Sequence, residues 1–372
     1  MSTPPRTAPA SAEGQRFTVG SHTYSVIRSL GRYGVAERFL ARSMGGEGEL
    51  VLIQQLQDTR HTADRRRLLE EAWLLSHLRH PCIPRVHAMA LRAQQPLVVL
   101  EYVEGMTLER MLNRSVAGGR PFSSPFAAYV IAQLADALHT AHGLTDEDGR
   151  LLQFVHRDVC PRNIQLTAHG EVLLTGFGSA FTTRPGRYVT RGMLVKGAGE
   201  YAAPEVLLRR KPDARADLFS LGLVLLELLT HQHGLDPAGD STRPAVPKHL
   251  APLENKLRAE EPGWAPPVQL AARAEQLRPD VLERMASRAP AALRAIVQRA
   301  LRPQPEDRYA SAAAMRDELR AFLAEQPRSY GKPALAAELQ RRVARQGYRL
   351  SGVEPSYSPV PAEFRRQEAR LC

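Results

Sequence analysis

An acid and an amide, Asp158 and Asn163, stand five residues apart in the run His156-Arg157-Asp158-Val159-Cys160-Pro161-Arg162-Asn163. Thirteen residues after Asn163 comes Gly176-Phe177-Gly178. Transfer of a phosphoryl group to a hydroxyl needs an acceptor for the hydroxyl proton, and the Asp158 carboxylate suits that task. It also needs magnesium held against the nucleotide phosphates, usually by a carboxylate helped by an amide such as Asn163. Gly176-Phe177-Gly178 supplies no such carboxylate, since glycine has no side chain to coordinate anything. An acid and an amide for such chemistry are present, and a second carboxylate is not found in the run that follows.

Positioning such groups takes a substantial scaffold, and 372 residues with 43% hydrophobic content supply one. Length alone predicts two or three domains. The formal charge of +11, from 50 Lys and Arg against 39 Asp and Glu, favours acidic partners without identifying one. No Arg run is interleaved with aromatics in the manner of a base-stacking surface, so nucleic acid is not an expected partner. The three cysteines, Cys82, Cys160 and Cys372, are far apart and lack metal-ligand spacing, as expected of reduced thiols. Met1 to Gln15 has no apolar signal core, and no stretch approaches eighteen uninterrupted apolar residues. A cytoplasmic protein with no membrane span is the expectation.

Along the chain, residues 1–15 read as a disordered leader. Alternating segments at Phe17 to Val19, Tyr24 to Ile27, Ala36 to Ala41 and Leu50 to Leu56 predict short antiparallel strands. Leu68, Leu69, Ala72, Leu75 and Leu78 predict a helix over 64–79, stopped by His80-Pro81. Strands follow at 86–91 and 97–102, and helices at 108–112 and 126–144. The apolar run 216–230 is too short to span a membrane and reads as a buried helix. Residues 236–265 are a proline-interrupted loop. Helices resume at 279–287, 291–301, 311–323 and 333–346, with a basic tail beyond.

In this order the motifs resemble the eukaryotic-type Ser/Thr protein kinases of bacteria, over about residues 20–325. The H-R-D-x-x-x-x-N loop is followed by Gly176-Phe177-Gly178 in place of D-F-G. Leu30 to Arg38 stands for the glycine-rich loop, with Gly31 kept and Gly34 between. Val51-Leu52-Ile53-Gln54 stands for V-A-I-K, and Glu71 for the helix-C glutamate. Leu100 is the gatekeeper, Ala203-Pro204-Glu205 stands for A-P-E, and Asp217 opens the D-x-W-S-x-G helix. Arg308 is expected to pair with Glu205. The resemblance implies an α+β, two-lobed protein kinase-like fold. A small antiparallel β N-lobe with helix C (about 16–102) would join a larger, mostly α-helical C-lobe (about 103–325), with 326–372 as a basic extension.

The departures from that pattern bear on function. Gln54 lacks the charge of the lysine that contacts phosphates and pairs with the helix-C glutamate, which leaves Glu71 seeking another cation. Tyr33 and Ala36 replace glycines, and their side chains hinder close approach of backbone amides to phosphate. Arg38 replaces the roof of the adenine slot, Leu52 its small alanine and Gln165 its apolar floor. Arg38 is a candidate to fill the slot and reach Gln165 or Glu71. Cys160 replaces a loop lysine and reads as a small buried thiol, with redox sensing as the sharper alternative. Asp158 and Asn163 are retained either for catalysis or as braces of their own loop, and the second is favoured without an aligned nucleotide. His156 and Phe177, with Leu75, read as an apolar column. The segment Ser179 to Ala202, with Thr182, Thr183, Tyr188 and Thr190, reads either as a solvated polar loop or as one whose phosphothreonine pairs with Arg157. Ala198 replaces a Thr or Lys that contacts the catalytic Asp in the family.

The resemblance thus implies a pseudokinase, a kinase-fold signalling regulator or scaffold with impaired ATP binding, no expected cofactor, and a protein partner such as an active kinase. The alternative is an active Ser/Thr kinase using ATP and Mg. In it Arg32 or Arg38 would replace the lysine, and Asn163, with Glu171, would hold one metal ion.

Overall fold

The computed structural model describes residues 13–33, 36–46, 48–56, 62–92, 95–117, 122–184, 194–195, 197–235, 246–253, 256–259 and 265–344. They fall into two compact units. Among these residues the first takes in 13–72 and 85–103, and the second Trp73–Pro84 and everything from Glu104 onward.

The first unit is a six-stranded antiparallel sheet. Its strands are β1 (Arg16–Val19), β2 (His22–Tyr33), β3 (Ala36–Ser43), β4 (Leu50–Leu56), β5 (Val86–Arg92) and β6 (Gln95–Glu101), in the order β1-β2-β3-β4-β6-β5. The alternation read from the sequence works as a period of two. Phe17, Val26, Phe39, Ala41, Val51, Ile53, Leu97 and Val99 form one buried cluster. Each of the larger side chains there contributes about 1.5–3 kcal/mol by leaving water. Register puts Arg38 opposite Gln54 and Gln54 opposite Val98, and likewise Leu40, Leu52 and Leu100 in a row. Those two rows lie on the other face of the sheet. Strand β2 runs well beyond the predicted 24–27, because it continues past two register shifts into the hairpin that pairs Tyr33 with Ala36.

Helix α1 (Thr62–His77) is shared between the units, which divide after Ala72. Its continuation belongs to the second unit through local bonds. The Cys82 carbonyl accepts from the Leu174 amide at 2.8 Å. Asp136 gathers His80 (3.6 Å), Arg316 (2.6 Å) and Arg320 (2.9 Å).

The second unit opens with β7 (Gly105–Thr107), α2 (Leu108–Ala117) and α3 (Ser124–His142). Ser123 caps α3 by accepting from the Phe126 amide at 3.2 Å, and Pro125 sits in its first turn. Strands β8 (Ile164–Thr167) and β9 (Val172–Leu174) complete a three-stranded sheet with β7. Next come β10 (Leu194–Val195), α4 (Pro204–Leu207) and α5 (Arg215–Thr230); β11 (Arg258–Ala259) pairs in parallel with β10. The rest is α6 (Pro267–Glu275), α7 (Pro279–Met285), α8 (Ala291–Ala300), α9 (Ala312–Ala324) and α10 (Lys332–Ala344). As predicted, α5 is a core helix, and it crosses α8 so closely that a Cβ on Gly222 would lie 2.8 Å from that of Ala300. Beyond the short strands β7 to β11 and helix α4, which the sequence patterns do not reveal, two larger features differ from the sequence-based expectation. Helix α6 was not foreseen, because Pro266-Pro267 reads as loop while Pro267 in fact occupies the first helical turn. The unit also continues past residue 325: α10 buries Leu335, Leu339 and Val343, and Glu338 accepts from the Ser123 hydroxyl (2.7 Å) and the Tyr330 hydroxyl (2.8 Å). Among the described residues no helix is long and apolar enough to cross a membrane.

Candidate active site

The catalytic-type loop hangs from Asp217 at the start of α5. Its carboxylate, 1% exposed, accepts from the His156 amide (2.8 Å), the Arg157 amide (2.9 Å) and His142 Nε2 (2.8 Å). These bonds hold Arg157 at φ 64°, a left-handed conformation that costs an L-residue about 1–2 kcal/mol. The Arg157 guanidinium donates through Nε to the Ser179 carbonyl (2.8 Å) and through Nη2 to that of Ala180 (3.2 Å). The sequence had offered Arg157 as a phosphothreonine ligand, whereas here it binds backbone. Thr182 is buried and Thr183 exposed, while Tyr188 and Thr190 lie outside the described residues.

Asp158 is buried, and donors converge on its Oδ1: the Ala198 amide at 2.7 Å, Arg162 Nη2 at 3.4 Å and the Cys160 thiol at 3.7 Å. The residue in the activation-segment position thus reaches the acid through its main chain, although its side chain is only a methyl. Cys160 is buried, and burial, with Asp158 adding to it, pushes its thiol well above the ordinary range. Such a thiol stays protonated and unreactive, which disfavours the redox alternative.

Asn163 is fully buried and donates through Nδ2 to the Asp158 carbonyl at 2.8 Å. Its own carbonyl accepts from the Thr175 amide (2.8 Å) and hydroxyl (3.1 Å). Gly176 follows, at φ 84° and ψ 32°. A Cβ built there would lie 2.5 Å from Asn163 Cγ and Nδ2, and 2.7 Å from Oδ1. The Asn163 amide therefore takes the room a side chain at 176 would need. Phe177 beside it is buried, edge-on to His156 at 4.7 Å and 6.1 Å from Phe154. Burial pushes the His156 imidazole below its usual range, so the ring is neutral within that apolar column.

Glu171 corrects the single-ion alternative. It pairs with Lys332 at 2.7 Å and accepts from the Thr167 hydroxyl at 3.2 Å, at the far end of the β8–β9 hairpin. Four strand residues from Asn163 to Thr167 span about 13 Å, so Asn163 and Glu171 do not share an ion. Gln165 lies half-buried on β8 between Thr107 and Leu173.

In the first unit Gln54 is 3% exposed and faces Arg38 across the strand pair. In the amide orientation that satisfies both groups, its Oε1 accepts from Arg38 Nη2 (3.0 Å) and Nε (3.3 Å). Leu100 is buried, Leu52 half-buried and Ala36 buried, whereas Gly31 and Arg32 are exposed. The backbone of Tyr33 ends β2, and Gly34 lies outside the described residues. Glu71 is half-buried on α1 and is not without a partner.

The Arg308 guanidinium meets the Glu205 carboxylate at 2.7 and 3.0 Å, both groups buried. Arg308 also donates to the carbonyls of Arg302, Pro303 and Arg215 (2.7, 2.8 and 3.1 Å). Two contributors escaped the sequence reading. Arg162 stands four residues from Asp158, a visible signal. His142 is 75 residues from its partner Asp217, and no local pattern reveals that pair.

Neither the residues around Asn163 nor those around Gln54 fit a magnesium–nucleotide pair: the position after Thr175 offers no carboxylate, the Asn163 amide binds its own loop, and Gln54 is neutral.

A profile described as "Protein kinase domain" matches residues 24–319. Among curated proteins, the chain is 30% identical over 370 residues to "Tyrosine-protein kinase MasK" of Myxococcus xanthus, covering 98% of this chain and 53% of that one. It is 30% identical over 349 residues to "Serine/threonine-protein kinase PknB" of Mycobacterium tuberculosis, covering 92% and 49%. The chain thus spans about half the length of these relatives. Among solved structures, the Mycobacterium tuberculosis PknI kinase domain superposes with a TM-score of 0.51 at 23% identity, covering 85% of this chain and 99% of that one.

Proposed function

The chain belongs to the protein kinase family, and we propose that within it this protein is a pseudokinase, a kinase-fold regulator or scaffold with little or no phosphotransfer. The observation that carries this reading is the Asn163–Gly176 arrangement. The metal-ligand carboxylate is absent, and the amide expected to assist it fills the space beside Gly176 and bonds to the Asp158 carbonyl. Gln54, neutral and bound to Arg38, supports the same conclusion. Asp158 is then a brace of its loop, held by Ala198 and Arg162. The partner in this reading is another protein, such as an active kinase, encountered in the cytoplasm; the binding surface lies on the outside of the fold.

One observation favours a second reading. The Arg38 guanidinium at 3.0 Å from Gln54 sets a positive charge next to the position of the missing lysine. In an active kinase that charge would take over phosphate recognition. The relatives' names include both tyrosine and serine/threonine kinases, so such an enzyme's acceptor hydroxyl would be of either kind.

Thermal unfolding with and without ATP, each with and without magnesium, separates the readings. A ligand at 100 times its Kd stabilises the native state by about 2.7 kcal/mol. The pseudokinase reading expects no magnesium-dependent rise in Tm at millimolar ATP. A rise that requires magnesium, followed by phosphotransfer lost on Asp158→Asn, would establish the enzyme instead.

A further inference from the structure

We propose that the segment after Phe177 is fastened to the second half of α1 by a stack of Arg184, Trp73 and His77, a strap that does the ordering work without phosphate. The Arg184 guanidinium carbon lies 3.9 Å from the centre of the Trp73 ring. The His77 ring lies 4.1 Å from Trp73, tilted by 32°. The base of the stack is itself fixed, since the Trp73 carbonyl is 2.8 Å from His77 Nδ1 and accepts from the Ser76 hydroxyl at 2.7 Å. A cation over an indole is the strongest of the side-chain cation–aromatic pairs, and Trp73 is half-buried, so water screens it only partly.

The segment leading to Arg184 is tied residue after residue. Ser179 and Ala180 give their carbonyls to Arg157. Phe181 exchanges two backbone bonds with Val155, at 2.7 and 2.9 Å, and its ring lies 5.7 Å from the Arg157 guanidinium carbon. The Thr183 amide donates to the Leu152 carbonyl at 2.8 Å. Arg184 ends this series. Phosphorylation orders such segments by giving nearby arginines an anion to bind. Here Arg157 already binds carbonyls and Arg184 already binds an indole, so the order is present before any phosphate is added. Because the stack joins the segment to α1, displacing Arg184 frees both.

Hydrogen exchange followed by mass spectrometry on the full chain tests this. The samples are the native protein, the same protein after phosphatase treatment, and the variants Arg184→Ala, Trp73→Leu, the double variant and Arg184→Lys. Phosphatase treatment is expected to leave protection of residues 180–184 unchanged. Arg184→Ala should reduce protection there and over 73–77 about tenfold, and Trp73→Leu should do the same. The double variant should lose no more than either single one, because all three remove one interaction. Arg184→Lys should keep most of the protection. Loss of protection on phosphatase treatment, unchanged exchange in Arg184→Ala, or additive losses in the double variant would each overturn the proposal. If Trp73→Leu fails to fold, Arg184→Ala against Arg184→Lys still decides, since Arg184 is only half-buried. The outcome does not depend on whether the protein transfers phosphate.

Discussion

Replacing Gly176 with aspartate would restore the metal-ligand carboxylate by sequence, and the structure predicts that it will damage the loop instead. Residue 176 sits at φ 84°, where aspartate, one of the side chains that tolerates this region best, still loses about 1 kcal/mol relative to glycine. Its Cβ would lie 2.5 Å from Cγ of Asn163, and neither group can yield cheaply: Asn163 is short, fully buried and bonded to the Asp158 carbonyl at 2.8 Å. Moving it breaks that bond and leaves a buried carbonyl unsatisfied, at about 1–3 kcal/mol. The sum is about 2–4 kcal/mol, or a fall in Tm of roughly 3–7 °C. Urea unfolding of the native protein, Gly176→Asp and Gly176→Ala supplies the assay. Alanine carries the clash and the strain without the charge, so it should lose nearly as much as aspartate. If Gly176→Asp is as stable as the native protein and gains a magnesium-dependent rise in Tm with ATP, the reasoning fails. Asn163 would then be yielding, and the pocket would lack one carboxylate and nothing more.

Two further perturbations test the frame around that loop. Glu205→Ala strips the carboxylate from a fully buried guanidinium and should cost about 3–5 kcal/mol in chemical unfolding; a loss under 1 kcal/mol would mean that the carbonyls of Arg302, Pro303 and Arg215 suffice for Arg308. Glu227, on α5, accepts from the Tyr201 hydroxyl at 2.6 Å, and burial, the main cause, pushes its carboxyl up from 4.5 to about 7. The folded state then holds a proton that the unfolded chain releases near pH 4.5, so this group's contribution to stability is present at pH 4.5 and is lost as pH rises to about 7. The loss is on the order of 2–3 kcal/mol, and it should vanish from the stability-versus-pH curve of Glu227→Gln; an unaltered slope between pH 5 and 7 would assign the effect elsewhere.

Most of what the sequence conveyed about this fold concerned periodicity and order. The alternation at Phe17 to Val19 and Leu50 to Leu56, and the apolar run that became α5, are local patterns that a residue-by-residue reading captures. Long-range pairs such as Glu205 with Arg308 were legible only through resemblance, since 103 residues separate them and neither has a local signature. His142 with Asp217 had no such guide and was missed. Pro266-Pro267 carries no helix signal of its own, because the residue that ends helices also begins them, and Pro267 occupies the first turn of α6.

The deeper gap lies in bonds made by the main chain. Read as side chains, Ala198 counts as a lost contact to Asp158, yet its amide donates at 2.7 Å, as any residue but proline would. Asp217 likewise holds the amides of His156 and Arg157, and Asn163 holds a carbonyl. The shape of this loop is therefore set by main-chain groups held by a few side chains, Asp217 and Asn163 among them, while its chemistry depends on other side-chain ends. A chain can exchange its metal carboxylate for Gly176 and its charge for Gln54 while the loop keeps its form. In the pseudokinase we propose, Asp158 and Asn163 are retained for the loop, and Gly176 and Gln54 are the positions that bear on function.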